Sequence, residues 1–241
     1  MIRYQGVWKS FGSQVVLRGV NLEINPGEIF FILGRTGAGK TVLIRMLVGL
    51  LKPERGEIWL DGERVDLMGE EELRRVRRKC GMIFQFPTLF DSLSVFENIA
   101  FGLRRHYQLS ESELKIRVEE LLDLVHLEKK ILSWFPAQLS FGMQKRVSLA
   151  RTIALEPKYL LYDEPTTGLD PFTARQINQL ILELQEKLGV TSIVVSHDLE
   201  SMKQVASRAG LLEAGDFLII APPEEFLSAR DSFVQKFLEV S

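Results

Sequence analysis

The chain has 241 residues, of which 46% are hydrophobic and 26% charged, with a formal net charge of -2. That composition is globular, excludes intrinsic disorder and gives no global electrostatic case for nucleic-acid binding. The single cysteine, Cys80, excludes an internal disulfide and fits a reducing compartment; lying just before the apolar run Gly81-Met82-Ile83-Phe84, it reads as a small buried side chain.

From the start of the chain, Arg3–Trp8 and Val15–Ile24 read as short strands. They are followed by the turn Asn25-Pro26-Gly27. Glu28 to Leu33 is a buried strand that ends in a glycine-rich loop, and Thr41 to Leu51 is a predicted helix. Glu57–Leu60, before Asp61-Gly62, completes an antiparallel layer with the opening strands. Between about Phe86 and Arg151 the pattern turns helical, as in an inserted subdomain. Tyr159–Tyr162 and Thr191–Val195 are further buried strands. The helix Pro171–Leu188 between them has proline at its start and Gly189 past its end. That order is a βαβ unit, so the fold class is α/β, with a parallel sheet covered by helices. No internal repeat or low-complexity linker interrupts it. The organisation expected is a single domain over 1–241, with a core from 1–85 and 152–241 and a helical subdomain at 86–151. No run approaches the ~18–20 apolar residues that span a bilayer, and Met1-Ile2-Arg3-Tyr4-Gln5 lacks a signal-peptide core. The chain is therefore expected in the cytoplasm, with any membrane role exercised through partners.

Gly34-Arg35-Thr36-Gly37-Ala38-Gly39-Lys40-Thr41 matches G-x-x-x-x-G-K-[ST] at every fixed position, after a strand and at a helix start. Its glycines let several N–H groups converge on phosphate oxygens, and the first helical turn adds unsatisfied donors and partial positive charge. Lys40 is positioned to reach the β- and γ-phosphates, and Thr41 to ligate Mg²⁺. Leu160-Leu161-Tyr162-Asp163-Glu164 is an apolar strand ending in two acids that point to opposite sides. Asp163 suits the metal, and Glu164 suits polarisation of the attacking water. Val194-Val195-Ser196-His197-Asp198 repeats the design, with His197 facing the γ-phosphate. His106 and His126 lie in charged helical contexts and read as surface residues.

These elements, in this order, resemble the nucleotide-binding subunits of ABC transporters along the whole chain. The diagnostic stretch is Leu139-Ser140-Phe141-Gly142-Met143-Gln144-Lys145-Arg146, similar to the family's signature. Gln85 matches the Q-loop, Gly168-Leu169-Asp170 the D-loop and His197 the switch histidine; Phe11 falls where the family stacks a ring on adenine. The resemblance implies a P-loop ATPase that binds ATP and Mg²⁺ between two head-to-tail copies, each nucleotide held by one copy's phosphate loop and the other's Ser140 and Gly142. It implies Gln85 beside the metal and as the relay to a membrane permease, and Asp170 at the nucleotide. Phe141 and Met143 depart from the family's usual signature of two glycines and a glutamine.

Within the family, the resemblance is to the ATPase of MCE-type (Mla-like) phospholipid transporters. It is carried by Leu89 to Ala100, Leu103-Arg104-Arg105-His106, Met143, Leu188-Gly189-Val190-Thr191 and Phe233 to Leu238. This implies a periplasmic MCE-type partner, phospholipid cargo and a place on the cytoplasmic side of a bacterial inner membrane. The basic run Arg74-Arg75-Val76-Arg77-Arg78-Lys79 reads as a solvated face balanced by Glu70, Glu71 and Glu72, rather than as a lipid-headgroup contact. The C-terminal apolar residues read as a short helix on the chain's own sheet. Other readings are a non-hydrolysing ATP-binding regulator, a soluble DNA-repair or translation ATPase, and a transporter motor for an amino acid, lipoprotein or drug. Glu164 and His197 argue against the first; the single nucleotide domain and absence of a broad basic surface argue against the second.

Overall fold

The computed structural model describes residues 1–240. In chain order the elements are β1 (Ile2–Phe11), β2 (Gln14–Ile24), β3 (Ile29–Leu33), α1 (Lys40–Leu47), β4 (Arg55–Leu60), β5 (Glu63–Arg64), α2 (Glu70–Lys79) and β6 (Cys80–Ile83). There follow α3 (Val95–His106), α4 (Glu111–Leu124), α5 (Phe141–Ile153), β7 (Tyr159–Asp163), α6 (Pro171–Leu188) and β8 (Thr191–Ser196). The chain continues through α7 (Leu199–Val205), β9 (Arg208–Glu213), β10 (Asp216–Ala221), α8 (Pro223–Leu227) and α9 (Ser232–Val240).

Two sheets divide the strands. β2-β1-β4-β5 is antiparallel throughout, and β10-β9-β3-β8-β7-β6 is parallel except for its edge strand β10. The central strands are buried on both faces, which is why they read as unbroken apolar runs. Along β3, Phe30 and Ile32 pack between the two sheets, while Ile29, Phe31 and Leu33 turn to the other face. There they meet a core continuous with α3, α4 and α5. The same alternation sends Tyr159 and Leu161 of β7 one way, and Leu160 and Tyr162 the other.

Two predicted boundaries move. The helix after the glycine-rich loop ends at Leu47 rather than Leu51, because Gly49 takes a left-handed conformation (φ 68°) and its N–H returns to the Met46 carbonyl. The last helix of the helical segment, α5, is continuous to Ile153, so a division at residue 151 cuts through it. α3 and α4 each open with a serine cap and a glutamate three residues on (Ser94 with Glu97, Ser110 with Glu113).

The basic run on α2 is a solvated, ion-paired face: Arg74 meets Glu71, Arg77 meets Glu70, and only Leu73 and Val76 turn inward. Phe226, Val234 and Phe237 of the C-terminal helices join the chain's own core. Cys80 is buried, and burial pushes its thiol up to about 12. His106 is exposed, as is His126, which pairs with Glu183 at 2.9 Å. Among the described residues no helix is long and apolar enough to cross a membrane.

Candidate functional site

The carboxyl ends of β3, β7 and β8 lie side by side, and each delivers its polar residues to one edge of the sheet. Gly34 follows β3 with φ 153°, where an added Cβ would lie 2.4 Å from the Leu212 carbonyl oxygen. Gly39 enters α1 with φ 103°, and a Cβ there would meet Leu17 and Val16 at 2.9 Å. Both positions therefore demand glycine, and the tight turn they permit aims the first N–H groups of α1 outward.

Lys40 opens α1 and is only 6% exposed. Its ammonium donates to the carbonyls of Gly34 (2.7 Å) and Arg35 (3.2 Å), and stands 3.6 Å from Glu164 Oε1. Burial pulls its pKa below the usual lysine value, partly offset by Glu164 and Asp163. Next along the helix, Thr41 Oγ1 donates to Asp163 Oδ1 at 2.8 Å. Glu164 leaves the end of β7 in a left-handed conformation (φ 53°) that is uncommon for a non-glycine residue. Its N–H donates to the Val195 carbonyl, Thr167 Oγ1 donates to its Oε2 at 3.1 Å, and His197 Nδ1 lies 2.9 Å from the same oxygen. The strained turn and three side-chain partners fix one carboxylate at the cleft wall, an arrangement that can hold or pass a proton.

These groups line a cleft of about 670 Å³. On it the structure gathers Phe11, Thr36, Gly37, Ala38, Gly39, Lys40, Thr41, Gln85, Asp163, Glu164 and His197. Phe11 is 48% exposed at the rim, with Lys9 Nζ 5.4 Å from its ring centroid, so it presents exposed aromatic surface on which a planar group can stack. Gly34 and Arg35 are absent from the lining and contribute carbonyls to Lys40 instead.

Ser140, Gly142 and Asp170 do not line this cleft. Ser140 caps α5, its Oγ accepting from Met143 N at 3.3 Å. Gly142 sits against Thr173, where a Cβ would come within 2.7 Å of the methyl group. Asp170 caps α6 by accepting from the Phe172 and Thr173 N–H groups, both at 3.0 Å. Sequence reasoning missed Thr167, Gln14, Val16 and Arg45, which also line the cleft. Thr167, three residues after Glu164, follows from turn geometry, whereas Gln14 and Val16 arrive from the β1–β2 hairpin with no local motif to mark them.

Among the described residues no three or more His, Cys, Asp and Glu side chains converge as a metal cluster. The Thr41 hydroxyl and Asp163 carboxylate are two hard oxygen donors that suit Mg²⁺, a cation usually held by one or two protein oxygens with phosphate and water.

Residues 17–167 match the family model described as ABC transporter. A probable ribonucleotide transport ATP-binding protein of Mycobacterium leprae is 38% identical over 98% of this chain and 68% of its own length. The intermembrane phospholipid transport system ATP-binding protein MlaF of Haemophilus influenzae is 39% identical over 95% of this chain and 86% of its own. The methionine import ATP-binding protein MetN of Clostridioides difficile is 38% identical over 99% and 74%. Among solved structures, cbiO1 of Clostridium perfringens, part of an ABC transporter complex, aligns over 99% of this chain and 95% of its own, with a TM-score of 0.88 and 30% identity. A dimeric post-hydrolysis state of the ATP-binding cassette MJ0796 bound to ADP and Pi aligns over 92% and 99%, with a TM-score of 0.83 and 33% identity. The chain belongs to the ABC transporter family.

Proposed function

We propose that this member of the ABC transporter family is an ATPase subunit that binds Mg-ATP in the cleft below Phe11 and hydrolyses it to drive a membrane permease. The single observation that carries the reading is the meeting of Thr41, Asp163, Glu164 and Lys40 across two strand ends within 3.6 Å contacts. The adenine ring stacks on Phe11, and the phosphates lie along the α1 N-terminus. Lys40 exchanges the Gly34 and Arg35 carbonyls for β- and γ-phosphate oxygens. Thr41 and Asp163, with Gln85 on the same cleft, would hold Mg²⁺, which when bound would supply charge neutralisation on the phosphates. Glu164 takes a proton from water as the water oxygen bonds to the γ-phosphorus. The bond from that phosphorus to the β–γ bridging oxygen breaks, and ADP leaves. His197, bonded to Glu164, orients the water and contacts the γ-phosphate.

Ser140, Gly142 and Asp170 serve a second copy. In a head-to-tail dimer the α5 N-terminus, with the Ser140 hydroxyl and the Gly142 N–H, closes on the partner's γ-phosphate. ATP is then part of the interface, and hydrolysis loosens it. The domain division that fits this reading is a core carrying the cleft and a helical subdomain carrying the signature. The dimeric post-hydrolysis state of MJ0796 supports the reading.

For cargo we favour phospholipid, moved between bacterial membranes by a complex on the cytoplasmic side of the inner membrane that includes a permease and a periplasmic MCE-type protein. The similarity to MlaF along most of both chains supports this. Relatives of comparable identity are named for methionine and for sulfate and thiosulfate import, which keeps another cargo as the second reading.

Phosphate release from Mg-ATP, abolished by a chelator, tests the motor. Purification from native membranes with mass spectrometry of proteins and lipids tests the cargo. A permease, an MCE-domain protein and enriched phospholipid are expected. A permease with a solute-binding protein and no enriched lipid overturns the phospholipid assignment.

A further inference from the structure

Lys145 takes no part in the chemistry above, yet it is one of the few buried charges in the molecule. It is 5% exposed, lies on α5 five residues after the Ser140 cap, and makes no ion pair within 4 Å among the described residues. Its ammonium donates to two main-chain carbonyls, those of Gln85 at 2.7 Å and Pro165 at 2.8 Å. Neither acceptor belongs to α5 or its neighbouring helices. One, Gln85, lies two residues past the end of β6, and the other, Pro165, immediately follows Glu164.

Phe141 lies one helical turn before Lys145 on the same face. The Lys145 ammonium stands 5.2 Å from its ring centroid, and that ring meets Phe86, the neighbour of Gln85, edge-on at 6.5 Å. The aromatic side chain that replaces the family's usual glycine at 141 thus covers the ammonium and touches the loop to which it is bonded. A desolvated ammonium is expensive to retain on neutral carbonyls, and burial here drives it down to about 8. A purely packing role would be served as well by an apolar side chain of the same length.

We infer that Lys145 is a positioning residue that fastens the helix beginning at Ser140 to both cleft loops, so that Gln85 and Glu164 move together with that helix. The two bonds convert any rotation of α5 into a joint displacement of the Q-loop main chain and the turn that aims the Glu164 carboxylate. The inference rests on the ATPase reading for its catalytic consequence, and on geometry alone for the mechanical tie.

The test compares wild type with Lys145→Met, which keeps length and apolar body but has no donor, and with Lys145→Gln, which keeps donors on a shorter arm. In the nucleotide-free proteins, amide hydrogen exchange is expected to rise about tenfold in Lys145→Met over both 84–91 and 164–169, but not in β3. In steady-state hydrolysis, kcat is expected to fall roughly ten- to a hundredfold from misplacement of Glu164, with KM for ATP unchanged. Lys145→Gln is expected to recover part of both losses. Exchange that is unchanged in the two segments, or that rises equally throughout the chain, overturns the tie. So does a kcat that stays at the wild-type value. Should Lys145→Met not fold, Lys145→Gln carries the same comparison with smaller changes. A wild-type protein that releases no phosphate would remove the proposed function, while the exchange measurement would still decide the tie.

Discussion

At the end of β3 the chain lines the cleft with buried groups already bonded to one another, whereas at the start of α5 it offers a serine and a glycine that stand apart from the cleft. Lys40 and Asp163 are 6% and 8% exposed; Lys40 donates to the Gly34 and Arg35 carbonyls and stands 3.6 Å from Glu164, while Asp163 accepts from Thr41 of α1. The Ser140 side chain is held by a single local cap bond, accepted from Met143 N. The first arrangement spends its rigidity on one nucleotide within one chain. The second is rigid only as a helix end, and in the proposed dimer its complement lies on another molecule. Substitutions in the strand-end half should therefore damage chemistry or nucleotide affinity in the isolated chain. Substitutions in the helix-cap half should damage association, with only the local stability cost of a lost cap beside it.

The largest separation is expected from Glu164→Gln. Hydrolysis should slow by about 10²–10⁴, the usual scale for a lost general base, while ATP binding persists. Single-turnover phosphate release beside equilibrium nucleotide binding checks this, and unchanged turnover would remove Glu164 from the mechanism. Lys40→Ala should weaken ATP by roughly 10–100-fold, the scale of one or two charged hydrogen bonds, as read by titration calorimetry. On the other half, Ser140→Ala should leave monomer affinity for ATP unaltered and reduce ATP-driven dimerisation, measured by light scattering in the Glu164→Gln background. Because alanine also removes the cap at a cost of about 1 kcal/mol, Ser140→Asn sharpens the test: it keeps a capping oxygen and should still lose the dimer. The smallest effect belongs to Asp170→Ala. It loses the cap on an 18-residue helix, a change of about 1 kcal/mol that lowers Tm by roughly 2–4 °C in a protein of this size. Differential scanning calorimetry reads it, and an unshifted Tm would mean the cap is dispensable.

Much of the first half was legible in sequence because it is local. The loop from Gly34 to Thr41 lies between a strand and a helix, and the acids Asp163 and Glu164 end an apolar run, so spacing alone predicts their chemistry. The central strands read as unbroken apolar runs because both faces are covered. What spacing could not predict depends on residues far apart in the chain. The early stop of α1 is a left-handed Gly49 packed against Leu73, which arrives from α2. Lys145 reads in sequence as one more cation in a helical charge pattern. Only the folded chain brings the carbonyls of Gln85 and Pro165, 60 and 20 residues away, onto its ammonium. Gln14 and Val16 reach the cleft through a hairpin whose register is set by pairing with β1 rather than by any motif.

The order β3-β8-β7 in the main sheet has a metrological consequence. The glycine-rich loop and the acids that face it across the cleft are mounted on strands that do not pair; β8 is the shim between them. Its thickness is fixed by main-chain hydrogen bonding, so the two jaws stand two strand spacings apart, about 9.6 Å, whatever side chains fill the layers above and below. The core can accept other apolar residues without altering that gauge. His197, which issues from the shim itself, stays registered to both jaws by construction.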